Sequence, residues 1–166
     1  MIRKPSITPF LWFDGQAEEA ARFYTSVFPE SEITNLNRYP ENAGVEEHGH
    51  QPGGVMTVSF TLAGQDFTGI NGGPHFHFNE AVSFVVDCAD QNEIDHYWNS
   101  LSAGGPVESQ QCGWLKDRFG LSWQIVPECL PELMRGAAAE PVMKALFGMK
   151  KLDIAALKAA RDSVQN

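Results

Sequence analysis

No run of about 18 consecutive apolar residues occurs in this 166-residue chain, so no stretch of it has the length a bilayer-spanning helix needs, and no membrane role is expected. Positive charge is scarce and dispersed. Twelve Lys and Arg against 21 Asp and Glu leave a net charge of −9, and apart from Arg3-Lys4 and Lys150-Lys151 the cations are scattered. A protein that neutralises a track of phosphates concentrates its cations, which excludes nucleic acid as a partner. Cysteine is equally thin. Cys88, Cys112 and Cys129 are odd in number and lack C-x-x-C spacing, which argues against a disulfide framework or a zinc knuckle and leaves reduced thiols. The apolar stretch 7–13 carries Pro9 and closes at Asp14, too short and broken for a secretory h-region, and a cytoplasmic protein is the expectation.

What is present is an ordinary globular composition, 43% apolar and 20% charged, in a chain long enough to bury roughly 70% of its unfolded surface as one domain. Residues 6–13 read as a first strand, stopped by Asp14-Gly15, which also caps the helix that follows. Ala17, Ala20, Ala21 and Tyr24 then recur at i, i+3, i+4 and i+7, with Val27 and Phe28 extending the stripe until Pro29 ends the helix. Strands follow at 33–39, 55–62 and 66–71, the last two joined by Ala63-Gly64-Gln65. The plan is βαβββ.

The second half repeats it. Residues 81–86 form a strand, and Asp90 with Glu93 makes a capping box for a helix whose apolar face is Ile94, Tyr97, Trp98 and Leu101. Gly104-Gly105 closes that helix, and 107–111 reads as a weaker strand. Residues 112–127, CGWLKDRFGLSWQIVP, supply the last two as a hairpin turned on Asp117-Arg118-Phe119-Gly120. A turn with Gly120 in a G1 bulge puts Leu115, Trp123 and Ile125 on a core face and Trp114, Lys116, Ser122 and Gln124 on a mixed face. Matching Gly64 to Gly120 sets Thr68 opposite Gln124. Beyond Pro127, helices are expected at 141–149 and 154–164, the second capped by Asp153, with apolar faces that cover this chain's own barrel or a partner's.

Several side chains are candidates for chemistry. His75 and His77 project to one side of an extended segment and, with Glu80, could hold a divalent metal; solvent-facing linker histidines are the simpler account. His48 and His50 lie in an acidic loop that reads as a solvated connection or a lid. Cys112, with Lys116 on its face, could be a nucleophile, against the commoner fate of a small buried hydrophobe. Trp98 and Trp123 read as packing, whereas Trp114 shares a face with Gln124 and is the aromatic best placed to stack on a planar ligand.

The runs ITPFLWFDGQAEEAARFYTSVFP, TVSFTLAGQDFTGINGGPHFHFNEAVSFVV and CGWLKDRFGLSWQIVP, with the tail MKKLDIAAL, resemble the PhnB-like group of the glyoxalase/bleomycin-resistance/dioxygenase (vicinal oxygen chelate) superfamily. Members of that group often carry the label 3-demethylubiquinone-9 3-methyltransferase. A methyl transfer from S-adenosylmethionine normally uses a Gly-rich loop between strand and helix, and Gly53-Gly54, Gly72-Gly73 and Gly104-Gly105 do not sit in that context. The resemblance implies an α+β fold of paired βαβββ modules in an open barrel, module one at 5–73 and module two at 80–128. It places that domain at 1–130, with a helical extension at 131–166 and a homodimer as the assembly.

The resemblance also implies a divalent metal held by one residue on the first and fourth strand of each module, which fall on Pro9, Thr68, Ala81 and Gln124. Pro and Ala carry no side-chain donor, Thr is a poor neutral ligand and Gln is only occasionally used, and one candidate out of four does not make a site. The expectation is therefore a small-molecule-binding protein whose inner face is lined by Leu11, Phe13, Thr68, Ser83, Trp114, Lys116, Ser122 and Gln124, with Trp12 facing the helices. No cofactor is assigned beyond a divalent metal left open. The alternative is a metal-dependent lyase, isomerase, transferase or dioxygenase with His75 and His77 as replacement ligands.

Overall fold

A computed structural model describes residues 7–41 and 52–163, and the chain divides into two compact units between His77 and Phe78. His48 and His50 lie outside the described residues.

The first unit holds β1 (Phe10–Phe13), α1 (Ala17–Val27), β2 (Glu32–Arg38), β3 (Val55–Leu62) and β4 (Gln65–Asn71), the βαβββ order the sequence predicts. Its sheet runs β1-β4-β3-β2, with β1 parallel to β4 and the other neighbours antiparallel. The β3–β4 turn is one residue tighter than predicted. Leu62 pairs with Gln65, and Ala63 and Gly64 both take positive φ, 46° and 81°, as a two-residue hairpin turn with the sheet's own twist requires.

The stripe Ala17, Ala20, Ala21, Tyr24 and Val27 is buried, as its spacing dictates. It rests on Val58, Phe60 and Leu62 of β3 and on Phe67 and Gly69 of β4, with the Tyr24 and Phe60 ring centroids 6.3 Å apart. Gly69 permits this approach: a Cβ there would meet Val58, Ala17 and Phe13 at 3.2–3.3 Å. The helix start is not capped from Asp14-Gly15. Gln16 at the N-cap offers no side-chain bond, and the buried Asn71 Oδ1 accepts from Ala17 N at 2.9 Å instead. Asn71 Nδ2 also donates to Val55 O at 3.0 Å, so one amide ties α1, β4 and β3 together.

The second unit holds β5 (Phe84–Cys88), α2 (Gln91–Ser102), a 3₁₀ turn (Val107–Ser109), β6 (Trp114–Lys116), β7 (Ser122–Pro127), α3 (Leu130–Leu133), α4 (Ala139–Phe147) and α5 (Ile154–Asp162). Its sheet runs β5-β7-β6, with β5 parallel to β7. Two sequence expectations are corrected here. The first strand begins at Phe84 and not at Ala81, because the parallel register sets Phe84 beside Trp123, their rings 5.7 Å apart. Residues 107–111 are not a strand. Ser109 N and Oγ both donate to Pro106 O, at 3.1 and 2.7 Å, while Ser109 Oγ accepts from Lys116 N at 2.9 Å, so a hydroxyl takes the place of a ladder partner beside β6.

In α2 the predicted face, Ile94, Tyr97, Trp98 and Leu101, is buried. Asp90 accepts from Glu93 N at 3.0 Å, and Glu93 accepts from Ala89 N at 2.8 Å, one residue earlier than a reciprocal capping box would have it. The tail belongs to this unit. Leu133, Val142, Leu152 and Leu157 form its small core. The 149–154 segment is stitched down by Cys112 N to Met149 O (2.9 Å), Gly113 N to Lys150 O (2.8 Å) and Gln91, which donates to Leu152 O (3.1 Å) and accepts from Ile154 N (2.9 Å). Asp153 caps α5 as expected, accepting from Ala156 N at 2.9 Å. No helix among the described residues is long and apolar enough to cross a membrane.

Candidate functional site

The site is built on the 112–127 hairpin. Gly120 takes φ 87°, its N–H donates to Asp117 O at 3.0 Å, and Asp117 N donates to Leu121 O at 3.0 Å, which is the bulged turn the sequence calls for. The register follows: Trp114 opposite Gln124, Leu115 opposite Trp123, Lys116 opposite Ser122. Leu115, Trp123 and Ile125 are buried under α2, so Trp114, Lys116, Ser122 and Gln124 share the other face. Asp117 fixes this geometry from inside. Its Oδ1 accepts from Phe119 N (2.8 Å) and Leu121 N (3.1 Å), and its Oδ2 from Trp123 Nε1 (2.9 Å).

Parallel pairing of Val85 with Gln124 adds β5 to the same face. Gln124 Nε2 donates to Ser83 Oγ at 2.9 Å. Lys116 Nζ is paired with the carboxyl of Glu80, and that hydrogen bond is the main reason the Glu80 pKa lies below the ordinary carboxylate value. Between Lys116 and Gln124 sits Ser122, 1% exposed, whose Oγ has no hydrogen-bond partner among the described residues. The face thus combines an indole, an ammonium, an amide, two hydroxyls and the apolar Val85.

Of the eight sequence-predicted lining residues, the structure brings Ser83, Trp114, Lys116, Ser122 and Gln124 onto this one face. Thr68 lies in the first unit, half-buried on the side of its sheet away from α1. Leu11 and Phe13 are a correction. The β1–β4 register aligns them with Gly69 and Asn71, so they are buried beneath α1 and do not share the face of Thr68. The same register corrects Trp12, which shares the face of Thr68 with Phe10. Its Nε1 donates to Gly73 O at 2.8 Å, and its ring meets Phe76 edge-on at 4.9 Å. A Cβ at Gly72 would come within 2.1 Å of that indole, which shows what Gly72-Gly73 is for, a role the sequence reading did not find.

His75 and His77 are exposed, and no group of three His, Cys, Asp or Glu side chains among the described residues could hold one metal ion. Glu80, the third member of the expected trio, is paired with Lys116. The positions implied by resemblance shift as well. Phe10, not Pro9, is the registered neighbour of Thr68, and Val85 that of Gln124, with Ala81 outside β5. That donor set does not fit a divalent cation. Cys112 precedes β6 at φ 52°, and with Gly113 at 85° the alternation that would align it with Lys116 is broken.

A separate concavity of about 490 Å³ lies where α2 and α5 begin, lined by Asp90, Gln91, Cys129, Asp153, Ile154 and Lys158 among others, and none of the hairpin face borders it. Its best polar groups are already used: Asp90 and Asp153 as caps, Gln91 as the bridge to the tail. The sheet face, with an unused buried hydroxyl, is the better candidate.

A family model described as 3-demethylubiquinone-9 3-methyltransferase matches residues 5–126. A solved Bacillus cereus protein, whose name couples that activity with PhnB, is 37% identical over 74% of this chain and 99% of its own, at TM-score 0.65. Protein PA1353 from Pseudomonas aeruginosa is 19% identical over 75% of this chain and 98% of its own, at TM-score 0.54, a likeness of fold alone. The fosfomycin resistance protein FosX from Listeria monocytogenes is 15% identical over 80% of this chain and 98% of its own, at TM-score 0.49. No curated protein matches the chain.

Proposed function

Since the chain belongs to the 3-demethylubiquinone-9 3-methyltransferase family, we propose that it is a small-molecule-binding protein of the glyoxalase/bleomycin-resistance/dioxygenase superfamily, with the hairpin face of the second sheet as its binding surface. The observation that carries this reading is Ser122. A buried hydroxyl without a partner costs about 1–3 kcal/mol relative to one that is hydrogen-bonded. A ligand oxygen or nitrogen that pairs with it recovers that cost. Gln124, bridged to Ser83, and Trp114 flank it and supply directional bonds and a flat apolar surface.

The methyl transfer in the family's description has no support from these residues. The β1–α1 connection, Asp14-Gly15-Gln16, has one glycine and the β5–α2 connection, Ala89-Asp90, none, so neither is the loop that cradles S-adenosylmethionine. A homodimer belongs to the same reading. Its support is the apolar surface of α4, where Phe147 is 61% and Met143 41% exposed. Light scattering on the full chain should give twice the chain mass.

The binding claim is tested by screening small polar aromatics for compounds that raise the melting temperature of the wild type, then repeating with Gln124→Leu. The reading predicts that the shift is lost in the variant. Compounds that stabilise both proteins equally would count against this surface.

A further inference from the structure

Lys116 and Glu80 indicate what kind of molecule the face takes. Lys116 Nζ stands on the same face as Ser122, its direct cross-strand partner, where opposed side chains start about 5 Å apart. The cation is only 24% exposed, so it is partly removed from water, and its counter-ion comes from outside the sheet. Glu80 reaches it from a segment with no helix or strand of its own, and 64% of the Glu80 side chain remains in solvent. The carboxyl therefore gives up little hydration to sit there and can leave at little cost. Beside this pair is the one buried hydroxyl among the described residues whose hydrogen bonding is unmet.

Resting on the binding reading above, we infer that the ligand carries an anionic oxygen group, carboxylate or phosphate, which displaces Glu80 from Lys116 and takes the Ser122 hydroxyl as a second donor. Glu80 is the internal stand-in for that group. It satisfies the ammonium but leaves Ser122 unsatisfied; an anion with two or three oxygens answers both donors at once. Trp114, two residues from Lys116 on the same strand face, gives the rest of such a molecule a flat apolar seat, and Gln124 stands directly opposite it. An aromatic or conjugated acid fits this combination better than a neutral compound of the same shape.

Three probes separate the possibilities in the full-length protein: benzoate, phenyl phosphate and the neutral benzamide, each titrated while the Trp114 indole and Gln124 amide resonances are followed. The anions should bind more tightly than benzamide, and the better of the two identifies the carboxylate or phosphate source. Glu80→Gln should tighten anion binding by about two- to fivefold, the range an exposed ion pair covers, and leave benzamide unchanged. Lys116→Met should weaken the anions by about tenfold, as loss of a charge-assisted bond does, and Ser122→Ala by about fivefold. Glu80 is exposed, so its variant folds whatever happens at the other two positions. Equal affinity for benzamide and the anions, or no gain in Glu80→Gln, overturns the anion inference while leaving the binding surface intact. No shift at Trp114 or Gln124 with any probe overturns both.

Discussion

Trp123 Nε1 donates to Asp117 Oδ2 at 2.9 Å, both side chains are almost fully buried, and this bond joins the turn of the 112–127 hairpin to its core face. Because Asp117 also accepts from Phe119 N and Leu121 N, Asp117→Ala removes the acceptor of three donors, two of them in buried hydrogen bonds. It should lower stability by about 3 kcal/mol or more. Asp117→Asn keeps the acceptor for the two backbone N–H groups and turns an amide toward the indole, so its loss should be roughly half as large. Urea denaturation of the two variants checks both the size and the order.

Gly105 and Gly120 are needed for different reasons. A Cβ at Gly105 would lie 2.1 Å from Lys116 O, a backbone atom of β6, so Gly105→Ala must displace the strand that carries Trp114 and Lys116. At Gly120 space is open and only the positive φ of 87° opposes a side chain. Gly120→Ala should cost about 1 kcal/mol, and Gly105→Ala distinctly more, with amide shift changes spread along β6.

The hairpin was legible because its information is local: Asp117 and Gly120 prescribe a turn, the turn prescribes the register, and the register sorts Leu115 from Trp114. The stripes of α1 and α2 were legible for the same reason. The face of β1 was not. Whether Leu11 or Trp12 turns toward α1 is decided by pairing with β4, nearly sixty residues away, and by the small volume of Gly69 that admits the helix. The start of β5 depends likewise on its parallel register with β7. The unmet hydroxyl of Ser122 and the Glu80–Lys116 pair are properties of packing, and no spacing in the sequence announces them.

Asn71 replaces the local cap that Asp14 was expected to provide. Asn71→Ala should destabilise the first unit by about 2 kcal/mol, since it strands Ala17 N–H and Val55 C=O together. Asp14→Ala should change stability by less than about 0.5 kcal/mol, as exposed substitutions away from special features do. Thermal and chemical denaturation of the pair would show the cap in the wrong place if the order were reversed.

Burial first, and then the carboxylates of Glu93, Asp87, Glu128 and Asp90, push the Cys88 thiol up from 9.0 to about 12. The folded state therefore holds the thiol proton more tightly than the unfolded chain does. The stability this contributes is complete below about pH 9 and is lost as pH rises toward 12, with a slope of at most about 1.4 kcal/mol per pH unit. At pH 8, iodoacetamide should modify the partly exposed Cys112 and Cys129 before Cys88, read by peptide mass mapping. Rapid labelling of Cys88 in the folded protein would contradict this.

The binding surface itself is tested most directly by side-chain NMR of the full-length, ¹⁵N-labelled protein titrated with benzoate. Saturable shifts of the Trp114 indole and the Gln124 amide, with the Trp98 indole in the buried stripe of α2 unmoved, are the predicted result. Shifts centred instead on Gln91 and its neighbours at the starts of α2 and α5, with Trp114 and Gln124 silent, would contradict it.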